Sequence, residues 1–185
     1  MEVQVVTRNV NITDDIKSYA ENKINRLSKY VNNITAAKIE LSEERSKSRQ
    51  HHFTAQVTLN VNGFLIRGEQ KAENVKASID KVEEVMERLI SKFKKKYEIN
   101  KGRTPKSIKQ PENIEIDVEE ETALSNAVVK SKRFAIKPMT IEQAIDQMEF
   151  LGHDFFLFMD VNDNVINVVY RRKDGRYGLI QPEIA

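Results

Sequence analysis

The sequence predicts an α+β protein built from two small modules. Helical and strand periodicities alternate along the chain, and a polar stretch that has neither pattern separates residues 1–100 from residues 127–185. The chain has 185 residues, enough for one large domain or two small ones, each with its own core. Its apolar runs are only a few residues long, which excludes a membrane-spanning helix.

The N-terminal module is predicted to have the order β-α-β-β-β-α. Thr13, followed by two aspartates, is typical of a helix start, and this helix runs to about Tyr30. Asn62-Gly63 predicts a type I′ hairpin between two strands. A second helix over about 74–97 carries one apolar face, so both helices are expected on one face of the sheet. The strands are expected at residues 3–8, 36–43, 53–61 and 64–71.

The second module, residues 127–185, is predicted to follow a flexible linker at residues 101–126, which contains glycine, prolines and an acidic run. Its predicted order is β-α-β-β-β. Pro138 is expected to end the first strand, Thr140 to begin the helix through a capping box with Gln143, and Gly152 to end that helix. The strands are expected at 128–136, 155–160, 165–171 and 177–181.

The charge is distributed unevenly, although the net charge is only +2. Residues 1–100 hold 18 basic and 14 acidic side chains, residues 101–127 hold 4 and 6, and residues 128–185 hold 8 and 8. The positive excess therefore lies in the first module, where it predicts a polyanionic partner.

Cations recur along one face of the second helix. At about 100° per residue they fall within roughly 60° of one another, and we name them the basic stripe: Lys81, Arg88, Lys92 and Lys95. In the first helix Arg26 and Lys29 lie together, and Lys23 lies at the edge of the apolar face. The spacing favours a surface that follows the phosphates of structured RNA. The alternative is a solvated, lysine-rich helix face.

Signals of catalysis are nearly absent from the sequence. It contains no cysteine, no glycine-rich phosphate loop and no zinc-protease or nucleophile-elbow motif. His51 and His52 are adjacent in a strand and cannot chelate one ion, and His153 favours a structural hydrogen bond. We therefore expect a protein that is not an enzyme, with no cofactor and no metal. Without an export signal, the expected location is the cytoplasm.

Two strands of the second module are apolar on both alternating faces. Residues 155–159 are entirely apolar and residues 165–170 nearly so, which requires a cover on each face of the sheet. The simplest cover is a second copy of the chain. The alternative is that the linker or the first module folds over this face. The expected dimer contacts are Phe155, Phe156, Phe158, Val168 and Tyr170, and the sequence leaves open which parity of the strand faces the partner.

Motifs in both modules are similar to one family. The C-terminal motifs are Gly152–Phe156, Val168–Gly175 and Tyr177–Ile180, and the N-terminal ones are Asn11–Thr13, Val61–Gly63 and Ala77–Lys81. With these residues the chain resembles the long-form ribosome hibernation promoting factors over nearly its whole length, except the linker.

The resemblance implies a translation regulator of stress and stationary phase. Its N-terminal domain would be similar to a double-stranded-RNA-binding fold, bind the small ribosomal subunit in the mRNA and tRNA channel, and block translation by occupancy. Its C-terminal domain would dimerise and pair two ribosomes. The implied rRNA-binding residues are Lys23, Arg26, Lys29, Lys81, Arg88, Lys92, Lys95 and Lys96.

Two other classes of protein remain alternatives. One is a general regulator that binds structured RNA and carries a dimerisation tail. It would bind duplex RNA as well as it binds the empty small subunit. The other is an enzyme with an unrecognised site, whose activity would be lost on one conservative substitution while RNA binding stayed intact.

Overall fold

Two four-stranded sheets organise the chain. A computed structural model describes residues 3–45, 51–97 and 136–183, and the chain divides into two compact units, one built around each sheet. The predicted linker at 101–126 and all but the last residue of the strand predicted at 128–136 lie outside the described residues.

The N-terminal unit has the predicted order β-α-β-β-β-α. Its strands are β1 (Val3–Arg8), β2 (Ile34–Arg45), β3 (His51–Val61) and β4 (Phe64–Ala72), and its helices are α1 (Asp14–Arg26) and α2 (Val75–Tyr97). A short 3₁₀ turn, Leu27–Lys29, extends α1. The sheet order is β1-β2-β3-β4, with β1 parallel to β2 and the other pairs antiparallel. Asn62 and Gly63 have φ of +52° and +86°, as the predicted hairpin requires.

Both helices of this unit contribute to one apolar core with alternate residues of the strands, which confirms the predicted layering. The fully buried residues include Ala20, Ile24, Ile39, Val57, Leu59, Ile66, Ile79, Val82, Met86 and Ile90. Gly68 of β4 allows α2 to approach the sheet closely, since a Cβ there would lie 2.9 Å from Sδ of Met86.

The C-terminal unit has the predicted order β-α-β-β-β. The elements of this part of the chain are β5 (Pro138–Met139), α3 (Ile141–Leu151), β6 (Phe155–Asp160), β7 (Ile166–Arg171) and β8 (Tyr177–Ile180). The second half of α3, from Gln147, and the turn to His153 belong to the first compact unit, and Phe150 lies in its core. The sheet order is β5-β6-β7-β8, with β5 parallel to β6. The expectation that Pro138 ends the strand at 128–136 lies mostly outside the described residues; what the structure adds is a two-residue strand, β5, that begins at Pro138. An edge strand tolerates proline there, since the missing N–H is not needed for pairing.

The ends of α3 follow the predicted capping chemistry. The N–H of Thr140 donates to Oε1 of Gln143 at 3.0 Å, and the N–H of Gln143 donates to Oγ1 of Thr140 at 3.3 Å. Gly152 has φ of +68°, and the next N–H, of His153, donates to the carbonyl of Met148 at 3.0 Å. Thr13 precedes α1 as predicted, but its side chain makes no capping hydrogen bond.

Candidate nucleic-acid interface and apolar sheet face

The basic stripe lies on the solvent side of α2. Lys81, Arg88, Lys92 and Lys95 are all exposed, as is Lys96, whereas the buried residues of this helix face the sheet. The 3.6-residue period of the helix separates the two faces, because residues three, four and seven positions apart share a side. The structure therefore presents the predicted row of cations to solvent, and one of them, Lys92, also donates from Nζ to Oε2 of Glu149 at 2.7 Å.

An aromatic cluster anchors the end of α2 that carries the densest positive charge. The ring of Phe64 at the start of β4 lies 4.7 Å from the ring of Tyr97 and 5.7 Å from that of Phe93, and the last two rings are 5.1 Å apart. Lys94, Lys95 and Lys96 follow Phe93 directly, so the packed rings hold the backbone that carries them.

The predicted cations of α1 have two different environments. Arg26, the last residue of α1, and Lys29 in the 3₁₀ turn are exposed. Lys23 lies at the contact between α1 and α2, and its side chain is only 19% exposed. The structure thus places Arg26 and Lys29 at the surface with the basic stripe, and it places Lys23 between the helices.

Lys23 is the centre of an ion network that joins the two helices. Its Nζ donates to Oδ1 of Asp80 at 2.8 Å and to Oε2 of Glu83 at 2.7 Å. The hydroxyl of Tyr19 donates to the same Oδ1 of Asp80 at 2.6 Å. Glu83 is buried, so its carboxylate depends on this ammonium for a partner. We call these four residues, Tyr19, Lys23, Asp80 and Glu83, the interhelical clamp.

The clamp shifts the protonation equilibria of its members. Hydrogen bonds to Asp80 and then to Glu83 raise the pKa of Lys23, and the hydrogen bond from Lys23 lowers the pKa of Asp80. The hydrogen bond to Asp80 raises the pKa of Tyr19. Lys23 and Asp80 are therefore both charged at neutral pH, and Tyr19 keeps its proton.

Tyr30 is an exposed aromatic side chain that the sequence interpretation did not single out. It follows the 3₁₀ turn and is 43% exposed. Interaction with the carboxylate of Glu87 raises the pKa of Tyr30. The available signal was its position, one residue after Lys29 and at the predicted end of the first helix.

The two faces of the C-terminal sheet differ in exposure. Cross-strand pairing places Phe155 opposite Tyr170 and Leu157 opposite Val168, so these four side chains share one face. The same face carries Ile166 and Ile180, and we call it the apolar sheet face. Phe155 is 65%, Ile180 53% and Ile166 41% exposed.

Phe156 and Phe158 point to the opposite face of this sheet. They pair with Val169 and Asn167, and Phe158, Val169 and Asn167 are buried. The expected dimer contacts therefore divide by parity: Phe155, Val168 and Tyr170 lie on the apolar sheet face, and Phe156 and Phe158 do not. The ring of Tyr170 also covers Gly178, where a Cβ would overlap it.

The described part of the chain contains no group of three or more His, Asp or Glu side chains arranged to hold a metal ion. Within the same residues no helix has the length and hydropathy needed to cross a bilayer.

Two family models match the chain in tandem. Residues 3–98 match the model described as Sigma 54 modulation protein / S30EA ribosomal protein. Residues 123–179 match the one described as Sigma 54 modulation/S30EA ribosomal protein C terminus. The matches cover both units, in the order that the sequence resemblance implied.

Known proteins are similar in sequence to this chain. A protein of Deinococcus radiodurans named ribosome hibernation promotion factor is 38% identical in an alignment that covers 96% of each chain. A protein of the same name from Lactococcus lactis is 38% identical in an alignment that covers 95% of each chain. The solved N-terminal domain of Thermus thermophilus Protein Y aligns with 50% of this chain and 99% of its own, with 29% identity and a TM-score of 0.44.

Proposed function

The chain belongs to the Sigma 54 modulation protein / S30EA ribosomal protein family, which includes ribosome hibernation promotion factors, and on that premise we propose that it silences ribosomes by occupancy. Its N-terminal unit binds the small ribosomal subunit in the mRNA and tRNA channel and excludes both ligands. Its C-terminal unit dimerises and pairs two ribosomes. No chemical step is involved, and the protein acts in the cytoplasm.

One observation carries the first half of this proposal. The basic stripe is exposed along α2, and Arg26, Lys29 and Lys96 are exposed with it, while the apolar residues of the same helices are buried or partly buried. Phosphate contacts of this kind position a protein on RNA without reading its sequence. They suit a cleft of folded rRNA, where shape and charge decide binding.

Lys23 has a different part in this proposal from the other cations. Moving its ammonium to a phosphate would leave the buried carboxylate of Glu83 without a partner, which is costly. Lys23 therefore acts as a positioning residue that holds α1 against α2, and the exposed cations contact the rRNA.

The apolar sheet face supports the second half of the proposal. Phe155, Ile166 and Ile180 are exposed large apolar side chains on one side of a small sheet. A second copy presents the same side chains, so a two-fold dimer covers the apolar sheet face of each copy at once. The contacts are Phe155, Val168 and Tyr170 together with Leu157, Ile166 and Ile180, whereas Phe156 and Phe158 support the sheet from its other side.

Sedimentation of ribosomes through sucrose gradients tests both halves. We expect the full-length chain to produce paired ribosomes, and a chain that ends near Lys101 to bind ribosomes without pairing them. Added mRNA and tRNA should compete with both chains. If neither chain sediments with ribosomes, the proposal is wrong.

A general regulator of structured RNA is the second candidate, because the basic stripe contacts phosphates whatever their sequence. The two candidates differ in their preferred target. A hibernation factor binds the empty small subunit far more tightly than an isolated RNA duplex at the same salt concentration, and a general RNA binder shows no such preference.

A further inference from the structure

The tip of the β7–β8 hairpin is strongly basic, and the proposed function does not use it. Residues 171–176 contain Arg171, Arg172, Lys173 and Arg176 against the single acid Asp174, a net charge of +3 in six residues. All six residues are exposed. Residues 128–185 have no net charge, with 8 basic and 8 acidic side chains, and 4 of the 8 basic ones lie in this tip.

The hairpin backbone holds these side chains in a defined turn. The N–H of Arg172 donates to the carbonyl of Arg176 at 2.8 Å, and the N–H of Gly175 donates to the carbonyl of Arg172 at 3.1 Å. Gly175 has φ of +80°, a conformation that glycine adopts without strain. The three residues between the arginines therefore form a short closed loop.

The carboxylate of Asp174 accepts hydrogen bonds from two of the guanidinium groups. The Nε of Arg172 donates to both of its carboxylate oxygens at 3.3 Å. The Nε and a terminal nitrogen of Arg176 donate to Oδ2 at 3.0 and 2.8 Å, and the backbone N–H of Arg176 donates to Oδ1 at 3.1 Å. These hydrogen bonds lower the pKa of Asp174, so its carboxylate is charged at neutral pH.

Both arginines keep donors for an additional ligand. Asp174 accepts only the Nε–H of Arg172, so the two terminal nitrogens of that guanidinium are not used by it. One terminal nitrogen of Arg176 is likewise not used by Asp174. Two guanidiniums oriented by one carboxylate present a fork of N–H groups that matches the oxygens of a phosphate.

We propose that this hairpin tip is a second RNA-binding site, which binds the phosphate backbone of rRNA on the small ribosomal subunit. The proposal rests on the proposed function, since it takes the ribosome as the partner. It adds a specific contact to the C-terminal unit, whose proposed role is otherwise dimerisation alone. A dimer presents two such tips.

RNA fits the tip better than an acidic protein does. Residues 172–176 contain no large apolar side chain, whereas protein interfaces are built around an apolar core with a polar rim. Binding to phosphates requires no apolar contact, because charge and the geometry of the guanidinium groups carry it.

The test compares two double variants of the full-length chain that lose the same charge. R172Q/R176Q alters the tip. K17Q/K76Q alters two exposed lysines that lie about 180° from Arg26 on α1 and about 140° from Lys81 on α2. Binding to purified small subunits is measured over a range of salt concentrations. Each lost phosphate contact lowers the slope of log affinity against log salt by about 0.7 to 0.9. For R172Q/R176Q the slope should therefore be smaller in magnitude by about 1.4 to 1.8 than for the unaltered chain, and for the control the slope should be unchanged.

The D174N variant distinguishes the orienting role of Asp174 from the effect of its negative charge on binding. Asparagine keeps an oxygen that accepts the N–H of Arg176, and the substitution makes the tip more positive. If Asp174 orients the two guanidiniums, D174N weakens binding to the subunit in spite of the added positive charge. If D174N tightens binding, the negative charge of Asp174 only repels the RNA phosphates, and the hypothesis that Asp174 orients the two guanidinium groups is wrong.

A photoreactive side chain placed at position 173 identifies the class of partner. A crosslink to rRNA supports the proposal, and crosslinks to ribosomal protein alone overturn it. If the salt dependence of binding has the same slope for R172Q/R176Q, its control and the unaltered chain, the hairpin tip is not an RNA-binding site, while the proposed function stands. If the unaltered chain does not bind the small subunit, both proposals fail.

Discussion

Lys23 illustrates how a single residue acquires its role from partners far along the chain. Its position at the edge of the apolar face of α1 is visible in the sequence, and a lysine there can extend its stem along the core and keep its ammonium in water. In the structure the ammonium contacts Asp80 and Glu83 instead, which lie 57 and 60 residues later. The clamp therefore joins α1 to α2 through charge.

Replacing Lys23 with methionine should destabilise the N-terminal unit. K23M keeps most of the apolar stem but removes both ion pairs and leaves the buried Glu83 unpaired. We expect the free energy of unfolding to fall by about 1 to 3 kcal/mol. Chemical denaturation measures this change. K17M, at an exposed position of the same helix, is the matched control and should change the value by less than about 0.5 kcal/mol. An equal effect of the two substitutions would refute the clamp.

Asp80 should make stability depend on pH in the acid range. Its pKa in the folded protein is lowered below the ordinary value of 3.8, so its contribution is present above that value and is lost as pH falls through the lowered pKa. Relative to the unaltered chain, D80N should therefore show a smaller loss of stability between neutral pH and about pH 2. Thermal unfolding at a series of pH values tests this. Parallel curves for the two proteins would contradict it.

At the scale of one element, α2 separates two tasks on two faces. Its buried face packs on the sheet through Ile79, Val82, Met86, Ile90 and Phe93, and its basic stripe faces solvent. The core residues hold the helix, so charges on the stripe can change with little effect on folding. Substitutions on the stripe are therefore suited to measuring binding alone.

Reversing two charges of the basic stripe should weaken binding to the ribosome. R88E/K95E replaces two phosphate contacts by repulsion, so both the affinity and its salt dependence fall. The slope of log affinity against log salt should decrease by at least about 1.4, because fewer counterions are released. K17E/K76E has the same change in charge outside the stripe and serves as the control. Unchanged affinity and slope in R88E/K95E would exclude the stripe as the binding surface.

The C-terminal elements show what strand pairing adds to a pattern of apolar residues. Residues 155–159 are apolar throughout, so the sequence does not distinguish the two faces of β6. Pairing of Phe155 with Tyr170 and of Phe156 with Val169 assigns each side chain to a face. Phe155, Ile166 and Ile180 are more exposed than Tyr177 and Leu179 on the other face, and this difference is the basis for proposing the first face as the interface.

At the scale of the whole molecule, both units use the same connectivity. In each sheet a strand is followed by a helix, a parallel strand and two antiparallel strands, in the sheet order of the chain. No repeat is visible in the sequence. The N-terminal unit adds α2, which carries the basic stripe, and the C-terminal unit leaves its apolar sheet face exposed. The two proposed tasks therefore lie in separate units.

Ribosome pairing should depend on the apolar sheet face and ribosome binding should not. F155D places a charge on the exposed face, so we expect paired ribosomes to disappear from gradients while the chain still sediments with single ribosomes. V161D, at an exposed apolar residue after β6, is the matched control and should leave pairing intact. F158D introduces a charge at a fully buried residue and should unfold the C-terminal unit. Pairing by F155D would argue against this face as the interface.

Most of the fold was predictable because its signals are local. Capping residues, the Asn62-Gly63 turn and the two periodicities each act within a few residues, and the structure confirms the elements that they predict. The exposed basic stripe was predictable for the same reason, since one helix orders its own side chains. The strand that begins at Pro138 was not, because its partner is β6, about twenty residues later.

The sequence by itself therefore determined the α+β class, the order of elements, the family and the row of cations on α2, all of which depend on residues close together in the chain. Only the tertiary structure decided that Lys23 forms ion pairs with Asp80 and Glu83 and that Asp174 accepts hydrogen bonds from Arg172 and Arg176. It also decided which face of β6 is exposed. The physical reason is that burial, ion pairing and strand register depend on groups that meet only when the chain folds.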